Sequence, residues 1–168
     1  MLKLTDAAEI ARLLLHDSEA VQMTASMTDP MTEEASRDWI DRRTSDDQQV
    51  FAILLAGTGE FIGSIGLGGP ADMPYVGYWI GRPHWKQGYA TEAVRGLIEY
   101  ARWRGIPSLQ ADTFPNNPAS ARVLAKVGFV YTGRIRLNVP LRGGLREADH
   151  HVMKLSDGSP SSQSRKTS

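Results

Sequence analysis

"WKQGYATEA", Trp85 to Ala93, sets a glycine and an alanine two residues apart at the point where an amphipathic helix begins. The helix reads from about Ala90 to Arg104. Its apolar residues Ala93, Val94, Leu97, Ile98 and Ala101 recur at helical spacing, and Gly105 is placed to end it. The first N–H groups of a helix have no intrahelical partner and carry the positive end of its dipole. Small residues there let a bulky anion approach those donors. The stretch therefore suits a phosphate cradle, and it suits an ordinary tight turn into a helix equally well.

Working outward, "YVGYWIG" (Tyr75–Gly81) directly precedes the turn and reads as a strand. Before it, "QQVFAILLA" (Gln48–Ala56) reads as a buried strand. "GTGE" is its turn and "FIGSIGL" (Phe61–Leu67) the return strand of a hairpin. Near the N-terminus, Asp6 with Glu9 three residues on resembles a capping box opening a helix through Leu15. Thr32 is placed to cap a second helix that turns Ala35, Trp39 and Ile40 inward. After the central helix, "SLQADTF" (Ser108–Phe114) is a strand. "NNPASARVLAKVG" is a short helix with Asn117 as cap, Pro118 in the first turn and Gly128 just past the end. "FVYTGRI" and "ADHHVMKL" close the domain as strands joined through Gly143-Gly144. Helices interleaved with strands predict an α/β (α+β) three-layer sandwich, a mixed central sheet with helices on both faces.

The chain's 168 residues suit one domain, expected over residues 1–155. The polar, Ser-rich stretch Ser156–Ser168 is expected to be a disordered tail. Lys plus Arg and Asp plus Glu both number 19, so the net charge is zero, which argues against a nucleic-acid or polybasic membrane surface. There is no cysteine, hence no disulfide, thiolate nucleophile or cysteine-ligated zinc. No apolar run approaches the roughly 20 residues a membrane span needs. A cytoplasmic protein, monomeric or homodimeric, is expected.

Several motifs lead elsewhere and fail on context. "GLGGPA" (Gly66–Ala71) matches a dinucleotide fingerprint at its small positions, but Pro70 and Pro74 follow and no helix opens there. Ser64 lacks the first glycine of a nucleophile elbow and reads as a strand residue. His150 and His151 are adjacent, so in a strand they point to opposite faces and do not share a metal. His16 near a helix C-terminus is explained by the dipole alone.

The strand, glycine turn and helix, followed one strand later by "NNPAS", resemble the GNAT superfamily of acetyl-CoA-dependent N-acetyltransferases, and within it the RimJ/RimL-type branch. The residues that carry the resemblance are "GYWIGRPHWKQGYATEAVRGLIEYA", "NNPASARVLAKVGFVYTG" and "FIGSIGL", within a similarity running from about Thr5 to Leu155. The resemblance implies that backbone N–H groups of Lys86, Gln87, Gly88, Tyr89, Ala90 and Thr91 bind the pyrophosphate of acetyl-CoA. It implies that the strand ending at Ile80 splays from its neighbour and receives pantetheine, with the Ile80 backbone a candidate partner for the thioester oxygen. It also implies that Asn117 contacts pantetheine while capping its helix. The acceptor would be an amine, on a protein N-terminus or a small molecule, and no metal is implied.

Four positions depart from the wider superfamily. Trp85 stands where many members carry Arg or Gln, although Trp is usual in this branch. Leu124 replaces a Tyr that protonates the leaving thiolate, Val76 lies where many carry a catalytic Glu, and the first strand is short or truncated. Asn117, Ser120 and Leu124 share one helix face, so Ser120 is the candidate acid, as the branch resemblance also implies. Its alternative is a purely structural residue at the helix start. Arg122 and Lys126 fall on the opposite, solvated face. Asp72, His84 and Asp149 are the titratable candidates for a base, and an ordered water or an already neutral amine would serve equally. The acceptor site is expected from "TASMTDPMTEEASRDW" (Thr24–Trp39) and the last hairpin. There Asp29, Glu33 and Glu34 either attract a cationic amine or simply complement a helix dipole. The missing Glu and Tyr leave a different class open, a non-catalytic acyl-CoA-binding module.

Overall fold

The computed structural model describes residues 1–44 and 48–155. The expected tail lies outside the described residues. Three strands, β1 (Gln49–Leu54), β2 (Phe61–Gly68) and β3 (Tyr75–Ile80), form an antiparallel meander. β4 (Ser108–Thr113), β5 (Val130–Val139) and β6 (Gly144–Lys154) complete a six-stranded sheet in the order β1-β2-β3-β4-β6-β5. β4 returns parallel to β3 because α4 (Tyr89–Trp103) crosses over between them, as a parallel connection requires. α5 (Pro118–Val127) follows β4. Before the sheet lie α1 (Ala7–Leu14), α2 (Ser18–Gln22) and α3 (Glu33–Arg43).

Strand alternation sends side chains to two separate cores. Val50, Phe61 and Trp79 pack with Ile10, Leu14, Val21, Trp39 and Ile40 from the N-terminal helices and with Met27 from the loop between α2 and α3. Ile65, Leu67, Val76, Leu109 and Ala111 pack with Val94, Leu97, Ile98 and Leu124 from α4 and α5. This is the expected mixed sheet covered on both faces. β2 lies so close to its neighbour that a Cβ at Gly63 would sit 2.2 Å from the Trp79 carbonyl oxygen.

Most local signals hold. The Thr32 hydroxyl accepts from Ala35 N–H at 3.1 Å, and Trp39 and Ile40 are buried beneath α3. Gly105 and Gly128 have φ +70° and +104° where α4 and α5 end. Ser64 is a buried residue of β2. Three readings need correction. Asp6 reaches back to accept from Lys3 N–H at 2.8 Å, closing a 3₁₀ turn over Leu4–Asp6, while Glu9 pairs with Arg12 at 2.7 Å. The first helix therefore starts on a different box from the one expected. β1 is an edge strand, half-buried but for buried Val50 and exposed Leu54, because the strand order leaves it one neighbour. α2, too short to show a period, has no counterpart in the sequence reading. Ahead of α1, the short first strand amounts to one bond from Leu2 N–H to the Val50 carbonyl at 2.8 Å.

Candidate active site

The decisive feature is where two strands stop pairing. β3 and β4 are in register at a single position, Tyr75 opposite Gln110. Gln110 anchors this end, its backbone N–H donating to Pro74 O at 3.1 Å and its side chain to Met73 O at 2.6 Å. Beyond it the strands part. Gly81 N–H donates to Ile62 O at 2.8 Å, so ladder alternation turns the backbone groups of Val76, Tyr78 and Ile80 away from β2, toward the opening. The Ile80 carbonyl is already taken, by the Trp85 indole N–H at 2.6 Å, which leaves its N–H. Trp85 thus has a structural role that the sequence did not reveal. Its ring lies under the Arg82 guanidinium at 4.5 Å, and Arg82 is held by Asp17 and Glu19 at 2.6 and 2.8 Å. The Arg82 hydrogen bonds hold the Asp17 carboxyl below its ordinary range.

At the upper end of the gap the chain turns into α4. Lys86 and Gly88 have φ +61° and +90°, and Gln87 braces the turn by donating to Pro83 O at 3.1 Å. The first outward helical bond runs from Glu92 N–H to Gly88 O at 3.1 Å. Among the described residues, no backbone carbonyl takes the N–H groups of Lys86, Gln87, Gly88, Tyr89, Ala90 or Thr91. Nothing lies within 4 Å of where a Gly88 Cβ would stand. These unpaired donors at the positive end of a 15-residue helix fit a pyrophosphate. The open edge of β3 fits an extended amide chain leading away from it.

Below lies a cleft of about 380 Å³ that passes between β3 and β4. Asn117, Ser120 and Leu124 of α5 line one side, and Met23 to Met27, Trp39 and Arg43 the other. The expected acceptor segment therefore contributes Thr24 to Met27 and Trp39. The last hairpin acts indirectly. Arg142 donates to Val21 O and Met27 O at 2.5 and 2.8 Å, bracing both ends of the segment between them. Burial pulls the Arg142 pKa down. Trp79 Nε1 and Thr113 Oγ1, both buried and lining the cleft, have no partner among the described residues.

Asn117 caps α5, its Oδ1 accepting from Ser120 N–H at 3.2 Å. Ser120 Oγ lies 2.8 Å from the Tyr78 hydroxyl, which also reaches Ser120 O at 3.3 Å. Burial pushes the Tyr78 phenol up to about 12, against a smaller opposing effect of the Ser120 bond. It therefore stays protonated through the neutral range. Tyr78 was not singled out in the sequence, where its phenol looks like one more aromatic of a strand.

The expected bases are not brought to this cleft. Asp72 is exposed in the turn before β3. His84 stands 3.5 Å from Glu60, and Asp149 is held by Arg134 at 2.9 Å. Asp29 is bonded to the Ser18 hydroxyl and Glu33 to Arg37 at 2.7 Å, so neither presents a free carboxylate to an amine. Among the described residues the cleft is lined by one carboxylate, Asp112. His150 and His151 point to opposite faces as expected: His150 meets Asp112, and His151 is buried beside Tyr131. Arg122 and Lys126 are exposed.

The sheet thus parts between β3 and β4, and its crossover helix begins beside the gap with open N–H groups. Comparison with known proteins supplies the family. Residues 1–130 match the model described as the acetyltransferase (GNAT) domain, and the chain belongs to that family. The probable N-acetyltransferase YjcK of Bacillus subtilis is 32% identical over 120 residues, covering 68% of this chain and 65% of that protein. The matched region thus spans slightly less than two thirds of that relative. Among solved structures, the ribosomal-protein-S5-alanine acetyltransferase of Vibrio fischeri superposes with a TM-score of 0.76 at 20% identity, covering 95% of this chain and 93% of that one. RimJ of Mycobacterium smegmatis, in complex with CoA-disulfide, gives 0.76 at 23% identity, covering 92% and 79%. At such identities the likeness establishes a shared fold. Among the described residues, no helix is long and apolar enough to cross a membrane.

Proposed function

We propose that this protein moves the acetyl group of acetyl-CoA to a primary amine by direct attack on the thioester. The observation that carries the reading is the continuity of the site. Six unpaired N–H groups at the Gly88 turn lead onto the open edge of β3 and so to the Ser120 hydroxyl. Lys86, Gln87, Gly88, Tyr89, Ala90 and Thr91 hold the pyrophosphate, and the Ile80 N–H serves the carrier or its thioester oxygen. Asn117 Oδ1 is spent on the cap, so its amide nitrogen is the group offered to pantetheine. Ser120 supplies the proton that the leaving sulfur takes, and Tyr78 orients it.

The acceptor is a protein N-terminus or a small-molecule amine. The fold shared with a protein whose name specifies ribosomal-protein-S5 alanine acetylation supports including the former. The non-catalytic alternative fits less well, because a module that only holds the carrier has no use for a serine–phenol pair beside its sulfur. Purified protein, acetyl-CoA and a panel of N-terminal peptides, amino acids and small amines, assayed by release of free thiol, test the reading. Amine-dependent thiol release is expected. Carrier binding without turnover on any amine would return the protein to the binding-module class.

A further inference from the structure

Asp112 has a partner unlike those of Asp17 and Asp149. Asp17 and Asp149 each face an arginine, Arg82 and Arg134. Asp112 faces an imidazole, with His150 Nδ1 2.7 Å from its Oδ1. The two are directly opposed on β4 and β6, so the sheet register itself fixes the contact. Their side chains are 12% and 19% exposed, and Asp112 lines the cleft. Leu109 and Ala111 point into the core under α4 and α5. Alternation therefore turns Asp112 to the other face, where Met23 to Met27 and Trp39 close over the sheet. The other titratable groups lining that cleft are Tyr75 and Tyr78 of β3 and Arg43 of α3. Burial raises the Tyr75 phenol, and the Asp112 charge raises it further.

An arginine fixes a carboxylate as a permanent ion pair, whereas an imidazole can exchange a proton with it. An amine acceptor arrives mostly as an ammonium, whose lone pair is blocked. We infer that Asp112 seats this ammonium and that the Asp112–His150 pair takes its proton, a role that rests on the acetyl-transfer reading above. Nδ1–H of the imidazole donates to Oδ1 across the 2.7 Å contact, and the ammonium proton passes to Oδ2, the other oxygen of the carboxylate. Ammonium and carboxylate become neutral amine and carboxylic acid, with the imidazole hydrogen bond kept, so charge is conserved. The amine nitrogen then bonds to the acetyl carbonyl carbon as the carbon–sulfur bond breaks. The sulfur takes a proton from Ser120, whose hydroxyl is restored by the second proton lost from nitrogen. Asp112 returns its proton to water, and one proton is released per acetyl group moved. Asp112 is thus a catalytic residue and His150 a positioning one.

Asp112→Asn and His150→Gln in the full chain, assayed with the fastest amine of the panel, test the inference. Asp112→Asn should lower kcat/KM for the amine about a hundredfold near neutral pH. It should leave acetyl-CoA affinity by calorimetry and the melting temperature close to wild type. The deficit should shrink as pH rises past the amine's own pKa, because the acceptor then arrives neutral. His150→Gln replaces the ring N–H with a flexible amide donor that holds the carboxylate less firmly, and should show a smaller loss with the same pH rescue. Wild-type kcat/KM in Asp112→Asn, or a deficit equal at every pH, would overturn the inference while leaving acetyl transfer intact. A wild-type protein that releases no thiol with any amine overturns both. If Asp112→Asn loses its cooperative melt, His150→Gln decides: wild-type rates across the pH range overturn the role of the pair.

Discussion

Tyr78→Phe removes one oxygen and leaves the ring in the core beneath α4 and α5. That oxygen holds Ser120 Oγ at 2.8 Å and touches Ser120 O at 3.3 Å, so the substitution frees the serine hydroxyl without opening a cavity. One good intramolecular hydrogen bond is worth about 1 kcal/mol net. For a chain of this size that lowers Tm by about 2–4 °C. If the same energy orients Ser120 toward the sulfur, kcat falls about fivefold, and acetyl-CoA affinity is unchanged because neither atom binds the pyrophosphate. Ser120→Ala removes the proton donor and should cost about ten- to a hundredfold in kcat and kcat/KM together. The informative assay is the double-mutant cycle, measured by thiol release under conditions where chemistry limits. Tyr78 acts through the serine hydroxyl, so Tyr78→Phe/Ser120→Ala should be no slower than Ser120→Ala alone within about twofold. Multiplying penalties would show that the two groups act separately, and a wild-type rate for Ser120→Ala would remove the serine from the chemistry altogether.

Three further outcomes follow from the same geometry. Gly88→Asp should nearly abolish CoA binding by calorimetry, since it places a β-carbon at φ +90° and a negative charge beside a phosphate; a folded variant with unchanged affinity would move the pyrophosphate elsewhere. Asn117→Ala should lose about 1 kcal/mol of stability as a cap and also bind CoA more weakly, whereas Asn117→Asp keeps the capping oxygen and loses only the amide donor. Equal CoA affinity in the Asp variant would reduce Asn117 to a cap. The Tyr78 phenol is raised by burial to about 12, above its ordinary value in an unfolded chain. Between these values the unfolded state has fewer protons bound, so its share of stability is complete below about pH 10 and lost as pH climbs toward 12. Melts in that window should decline more steeply for wild type than for Tyr78→Phe, and parallel curves would contradict the burial effect.

The sequence by itself determined whatever depends on neighbours a few residues apart. The Thr32 and Asn117 caps, the Gly105 and Gly128 stops and the apolar stripe of α4 are local, because a helix satisfies its own backbone and shows its period in the chain. The glycine turn belongs with them, since its open N–H groups follow from the helix start alone. Where two local solutions were equally close, the sequence misled. Asp6 had a backbone N–H three residues before it as well as a glutamate three residues after, and it took the former. The tertiary structure decided everything that needs strand order and register. β1 looked buried, but burial in a sheet depends on having neighbours on both sides, and the order put it at an edge. Tyr78 meets Ser120 across 42 positions of sequence, Asp112 meets His150 across 38, and Arg142 reaches Met27 across 115. No periodicity encodes such pairs. They exist because β3 and β4 separate after one aligned position and β6 runs antiparallel beside β4, so the sheet gathers a phenol and a carboxylate at one gap, with an imidazole behind the carboxylate.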